Sequence, residues 1–214
     1  MKTFSEELKQ LWITVMQGHQ DADRLSQGNW WDNGDQKGCF FGCAMQTENN
    51  PLQKAIKAMQ LPAWLVHLAE AIFEGLSKDD ALLFPVQLLQ AIPTNTDISE
   101  VIHIIAVERL EPLIRESNSD EANKAIKLVI GYHKNTERTE KDRKEAYSAA
   151  RTAKYSAAHS AAQSAARQSA AASAARSAAR QSAADSAYPA AYPAERSWQQ
   201  ERDNLLQALR EFKK

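Results

Sequence analysis

The segment Ser156-Ala157-Ala158-His159-Ser160-Ala161-Ala162-Gln163-Ser164-Ala165-Ala166-Arg167 decides the fold class of this 214-residue chain. It belongs to a Ser-Ala-Ala-x repeat, in which residues 148–187 hold 19 alanines and 9 serines. Alanine has the highest helix propensity and loses no side-chain entropy on ordering. Residues 132–188 also contain no glycine and no proline. The repeat therefore predicts one long helix in an all-α protein.

The Ala/Ser repeat predicts a helix with two unlike faces. A period of four drifts by about 40° per repeat on an α-helix, and single insertions at Gln168 and Gln181 reset that drift. Long side chains then occupy one half of the circumference, and small side chains occupy the other half. We expect the small face to pack closely against another helix, in the same chain or in a second copy. The residues of this predicted helix-packing face are Ala157, Ala161, Ser164, Ala175, Ala179 and Ser182.

Working outward, the sequence predicts three regions. Residues 1–135 predict a multi-helix globular body, residues 136–187 the long helix, and residues 188–214 a Tyr-Pro kink with an amphipathic helix that returns to the body. In the body, Pro62 and Gly75 punctuate one helix, and Ser77 begins the next. A polar, glycine-rich stretch from Gln17 to Lys37 predicts a loop, and no alternating β-branched run predicts a strand.

The composition of the chain limits which partners and which cellular compartment we expect. The chain has 26 Lys and Arg residues against 27 Asp and Glu residues, so its bulk charge indicates neither a nucleic acid nor a membrane surface. No run approaches the roughly 18–20 apolar residues of a membrane span, and the N-terminus lacks the apolar core of a secretory signal. We therefore expect a cytoplasmic protein with reduced thiols at Cys39 and Cys43, and with no metal or other cofactor.

Several short motifs occur in an order that is specific as a set. Together with the alanine-rich tail, they resemble a family of uncharacterised bacterial and phage proteins. The resemblance covers most of the chain and implies a prokaryotic or phage setting, but it implies no activity. The motifs are Gly38-Cys39-Phe40-Phe41-Gly42-Cys43, Pro62-Ala63-Trp64-Leu65, Ile72-Phe73-Glu74-Gly75-Leu76, Ala91-Ile92-Pro93 and Asp97-Ile98-Ser99.

The first candidate site is the loop from Trp30 to Cys39. Aromatic, glycine-rich loops often bind ligands, and backbone amides at a helix start suit an anion; Trp30, Trp31 and Asp35 are the candidates. The alternative is a structural turn in which a tryptophan anchors the core and Gly38 and Gly42 allow close helix approach. A zinc site at the two cysteines would need further ligands, and no two of the five histidines pair visibly in the sequence. Buried structural thiols are therefore the preferred interpretation.

The second candidate site is the polar face of the long helix. Residues 141–186 carry a net charge of +5, which leaves −6 for the rest of the chain. Three arginines within about 40° of one another, with an aromatic and an imidazole on the same side, could hold the phosphates of a small ligand. The alternative is a solvated helix face, and the basic excess is too small to indicate binding of long nucleic acids. These candidate residues are Arg151, Tyr155, His159, Arg176 and Arg180.

The sequence thus supports one leading and one secondary hypothesis of function. The leading one is a non-enzymatic helical binding protein, whose small-residue face contacts a protein partner or forms a homodimer. The second is a phage or bacterial anti-defence type protein that sequesters a small nucleotide-like anion or inhibits a host protein. No catalytic residue is predicted, since the chain has no phosphate-binding Walker loop, no GxSxG and no HExxH motif.

Overall fold

A computed structural model describes residues 3–116, 120–149, 151 and 198–212 of the chain. Its regular structure is almost entirely helical, which confirms the all-α prediction. A two-residue antiparallel pair, β1 (Trp31–Asp32) with β2 (Lys37–Gly38), is the exception among these residues. The helices are α1 (Glu6–Asp21), α2 (Phe40–Met45), α3 (Pro51–Met59), α4 (Ala63–Gly75), α5 (Lys78–Ala91), α6 (Val101–Glu116), α7 (Asp120–Lys134), α8 (140–149) and α9 (Trp198–Glu211).

Local capping explains where several helices begin. The Ser77 hydroxyl accepts the Asp80 N–H at 3.3 Å, and the Cys39 thiol accepts the Gly42 N–H at 3.4 Å. Each bond satisfies one of the backbone donors that the first turn of a helix leaves without a partner. The predicted loop from Gln17 begins too early, because α1 continues to Asp21 and buries His19 on the same side as Met16.

The chain divides into two compact units. The first comprises Met1–Ile102 and Glu195–Lys214, and the second comprises His103–Ala194. These divisions differ from the predicted regions, since the boundary near residue 135 falls inside the second unit. The difference arises because α6 and α7 share an apolar cluster with α8, while the C-terminal helix belongs to the same unit as the N-terminal helices.

Phenylalanines form the centre of the first unit. The Phe40 ring stacks on Phe41 at a centroid distance of 4.1 Å and lies 6.5 Å from both Phe73 and Phe84. All four side chains are at most 1% exposed. The short helix α2 therefore lies beside the buried faces of α4 and α5 at the centre of this unit.

Helix α9 returns to the first unit, as the sequence predicts. Its Leu205 and Leu209 are fully buried, and Arg202 forms an ion pair with Asp80 of α5 at 2.6 Å. A side chain at Gly75, the last residue of α4, would overlap the Trp198 indole. The glycine that ends α4 therefore also makes room for the first residue of α9.

The second unit has its own apolar cluster. Helices α6, α7 and α8 contribute buried side chains to it, and the start of the predicted long helix is helical over residues 140–149. The predicted helix-packing face, from Ala157 to Ser182, lies outside the described residues. Buried members of the cluster are Leu110, Ala125, Val129, Ile130 and Ala149.

Candidate functional site

The loop between α1 and α2 contains a tight hairpin, whose backbone at Trp30 packs directly against Gly38 and Gly42. The Asp32 carboxylate accepts the N–H groups of Gly34 at 2.7 Å and Asp35 at 3.1 Å, which fixes the turn. A Cβ atom on Gly38 or Gly42 would overlap the Trp30 carbonyl group. The two glycines therefore allow the loop backbone to approach α2 closely. The sequence predicts instead that they allow the approach of another helix.

The three predicted ligand-binding residues of this loop have different surroundings. Trp31 is buried, its indole N–H donates to the Asn33 side chain at 2.9 Å, and its ring meets His19 edge-on at 6.0 Å. Trp30 is 44% exposed, and the Asp35 side chain is also exposed. Trp31 thus anchors the loop, while Trp30 and Asp35 face solvent. Ligand binding by these residues stays a prediction.

Several backbone donors of the loop already face acceptors of the protein itself. The Gly28 N–H donates to the Glu74 carboxylate at 2.8 Å, and the Asp32 carboxylate takes two more N–H groups. An incoming anion would compete with these carboxylates for the same donors. The arrangement therefore favours a cation over an anion beside this loop.

Three acidic side chains gather where the loop, α2 and α4 meet. Cys39 caps α2, and Glu70 and Glu74 lie one turn apart on α4, so that both carboxylates share one face. One ligand atom from each residue lies within 4.8 Å of the other two. Cys39 and Glu70 are buried, whereas Glu74 reaches solvent. The cluster thus has a buried side and an open side.

Burial and mutual repulsion favour the protonated forms of these groups. Burial, together with the negative charge of Glu74, raises the pKa of Glu70 to about 7, although hydrogen bonds from Cys39 and the Phe41 backbone oppose the shift. Burial, followed by the charge of Glu70, raises the pKa of the Cys39 thiol far above its ordinary value. A bound cation would reverse both effects, because it stabilises the ionised forms.

Cys43 has a different environment from Cys39. Its Sγ lies 3.2 Å from the Gly38 carbonyl oxygen and 3.3 Å from the Arg24 carbonyl oxygen. Burial raises its pKa to about 12, so the thiol stays protonated and can donate to either carbonyl. Both cysteines are free and buried, as the sequence predicts. Cys43 serves as a structural thiol between the loop and α2.

Neither Glu70 nor Glu74 is among the site residues that the sequence predicts. A signal was present, because Glu70 is a charged residue on the otherwise apolar buried face of α4. Its meaning depends on Cys39, which lies far away in the sequence and close in space. Such a contact follows from the fold and from no local pattern.

Two histidines of the second unit form a pair, although no two histidines pair visibly in the sequence. The Nδ1 atoms of His103 and His133 lie 2.8 Å apart, and the Tyr132 ring contacts both imidazoles. The two histidines lie at equal sequence distances from the α6–α7 connection, which is the signal that could have paired them. Burial, with the charges of His103 and Arg138, lowers the pKa of His133 to about 4.

The second predicted site, on the polar face of the long helix, lies mostly outside the described residues. Arg151 belongs to the described residues, whereas Tyr155, His159, Arg176 and Arg180 lie outside them. Their convergence on one helix face stays a prediction from the helical period.

No family model matches the chain, and no curated protein or solved structure matches it. In the part of the chain that the structure describes, none of the helices combines the length and apolar character that a membrane crossing requires.

Proposed function

We propose that the protein is a non-enzymatic helical interaction protein, which binds through the small-residue face of its Ala/Ser-rich segment. The partner that we propose is a second copy of the chain. The observation that carries this proposal is the return of α9 to α4 and α5. This return engages the apolar stripe of the C-terminal helix, which therefore becomes a less suitable partner for the small-residue face.

The apolar stripe of α9 already has a partner. Leu205, Leu206 and Leu209 are at most 5% exposed in the first unit, where α9 contacts α4 and α5. The C-terminal helix therefore cannot offer the same stripe to the Ala/Ser-rich segment. Because α9 is the described helix that follows this segment in the chain, its contact with α4 and α5 favours a partner from outside the chain.

Chain connectivity supports the same proposal. Residues 103–194 stand between the two parts of the first unit in the sequence, so α8 precedes the Ala/Ser-rich segment and α9 follows it. A segment joined to helices at both ends loses less conformational freedom on binding than a free tail would. Its alanines offer little apolar area, so binding would come from close backbone approach over a long contact.

Leucine substitutions on the two faces test this proposal. The variant Ala157→Leu, Ala161→Leu, Ala175→Leu, Ala179→Leu places bulk on the small face and should weaken the dimer. A matched control places four leucines on the polar face, at His159, Gln163, Gln181 and Asp185, and should leave the dimer intact. Sedimentation velocity measures both. Equal association by the small-face variant and the wild type would contradict the proposal, as would equal loss in the control.

The anion-sequestering hypothesis remains as a second proposal for the polar face. Its support is the sequence cluster of Arg176 and Arg180 with Arg151, within a segment of net charge +5. Mass spectrometry of small molecules released from the denatured, purified protein tests it. An Arg176→Ala, Arg180→Ala variant that retains the same ligand would exclude this face. For both proposals we infer a cytoplasmic location in a bacterial or phage setting, which the two buried free thiols support.

A further inference from the structure

The Cys39, Glu70 and Glu74 side chains, here called the acid cluster, combine features that a purely structural role does not explain. The cluster brings a thiol and two carboxylates within 4.8 Å of one another. Glu70 is only 6% exposed, and its Oε2 atom has no hydrogen-bond partner among the described residues. A buried carboxylate oxygen without a partner is costly, since burial removes the water that would otherwise solvate it.

No cation of the protein compensates the Glu70 carboxyl in the described part of the chain. The groups that act on it are Cys39, Glu74 and the backbone of Phe41. Two of these three are themselves acids. The cluster therefore lacks positive charge at the point where three acidic groups converge.

We propose that Cys39, Glu70 and Glu74 bind a divalent transition metal ion, with zinc as the best match. A thiolate ligand favours zinc over magnesium and calcium, which prefer sites made of oxygen alone. Zinc bonds of about 2.3 Å to sulfur and 2.0–2.2 Å to oxygen place tetrahedral ligands about 3.5 Å from one another. Ligand atoms that lie up to 4.8 Å apart would therefore have to approach one another by up to about 1.3 Å when the metal binds. The exposed side at Glu74 leaves a fourth position for water.

Backbone N–H donors already hold two of the three proposed ligands, Cys39 and Glu74. The Gly42 N–H lies 3.4 Å from the Cys39 Sγ, and the Gly28 N–H lies 2.8 Å from the Glu74 Oε2. The Gln27 amide ties the loop to α4 through the carbonyls of Phe73 and Leu76, at 2.7 Å and 2.9 Å. Hydrogen-bond partners of the metal-binding side chains fix the orientation of those side chains in metal sites. The metal would join the loop, α2 and α4, and the inference does not depend on the proposed function.

Cobalt and zinc binding to the intact, reduced protein test the site. Wild type should bind one zinc ion, and its cobalt complex should show a thiolate-to-cobalt charge-transfer band. Cys39→Ser should abolish that band, and Glu74→Gln should weaken zinc affinity at least tenfold. Glu74 is exposed and its glutamine can still accept the Gly28 N–H, so this variant separates lost binding from lost folding.

Cys43→Ser is the matched control, because Cys43 is equally buried but lies outside the acid cluster. It should keep the charge-transfer band and the zinc stoichiometry. The inference is overturned if wild type binds no zinc or if the cobalt complex lacks the band. It is also overturned if Cys43→Ser loses the band while Cys39→Ser and Glu74→Gln retain binding.

Discussion

Gly42 shows how one missing side chain sets the position of the Trp30 loop. A Cβ atom there would overlap the Trp30 carbonyl, which is backbone and cannot rotate away. We expect Gly42→Ala to lower the free energy of unfolding by about 3 kcal/mol or more. Gly18→Ala is the control, since nothing lies within 4 Å of its Cβ position, and it should raise stability by up to about 1 kcal/mol. Urea unfolding measures both, and equal midpoints would contradict the close approach.

The His103–His133 pair predicts sensitivity to acid. The pKa of His133 is about 4 in the folded chain against about 6.5 when unfolded, so protons bind the unfolded chain more readily. The stability that this histidine contributes is complete above about pH 6.5 and is lost as the pH falls towards 4. We expect a loss of about 1–2 kcal/mol, after allowance for solvent screening of a half-buried ring.

Thermal unfolding between pH 7 and pH 4 measures this effect. His133→Gln should show a shallower loss of stability with falling pH than the wild type. His67→Gln, at an exposed position of α4, should follow the wild type. If all three curves run parallel, His133 does not titrate as the structure indicates.

At the residue scale, local patterns predicted caps better than they predicted sites. Ser77 and Pro62 act on neighbours a few residues away, so the sequence identifies them directly. Cys39 and Glu70 come close together only when α2 and α4 meet, so no local pattern indicates the common role that we propose for them. Trp31 lies between these cases, because the sequence predicts an anchor but cannot decide which tryptophan of the pair it is.

At the scale of elements, the contact between Gly75 and Trp198 joins α4 to α9. We expect Gly75→Ala to destabilise the wild type, since its methyl group meets the indole ring. In a Trp198→Ala background the ring is absent, and Gly75→Ala should then cost little. A double-mutant cycle by chemical unfolding should therefore give a coupling energy of at least about 1 kcal/mol. Additive effects would mean that α9 does not dock in this way.

The helix bounds show which element properties are encoded locally. The end of α4 at Gly75 and the start of α5 after Ser77 follow from residues that interrupt or cap helices. The end of α1 was misplaced, because a polar sequence suggested a loop where the burial of Met16 and His19 extends the helix. Tertiary burial decided that boundary against local composition.

At the scale of the whole molecule, the two compact units do not coincide with the regions that composition defines, because α9 returns to the N-terminal helices. Composition changes sharply near residue 139, but Asp80 and Arg202 belong to one compact unit. Residues 103–194 are therefore an insertion, and the Ala/Ser-rich segment is part of it. The sequence could predict the all-α class and a returning helix, whereas the unit boundaries required the contacts that the return makes.

The solution mass of the intact wild-type protein is the most direct test of the proposed interaction function. Light scattering after size exclusion, across a wide concentration range, measures that mass against a chain mass of 23.9 kDa. We expect twice the chain mass at high concentration, with a shift towards the single-chain mass on dilution. A mass that stays at 23.9 kDa throughout would contradict self-association through the small-residue face.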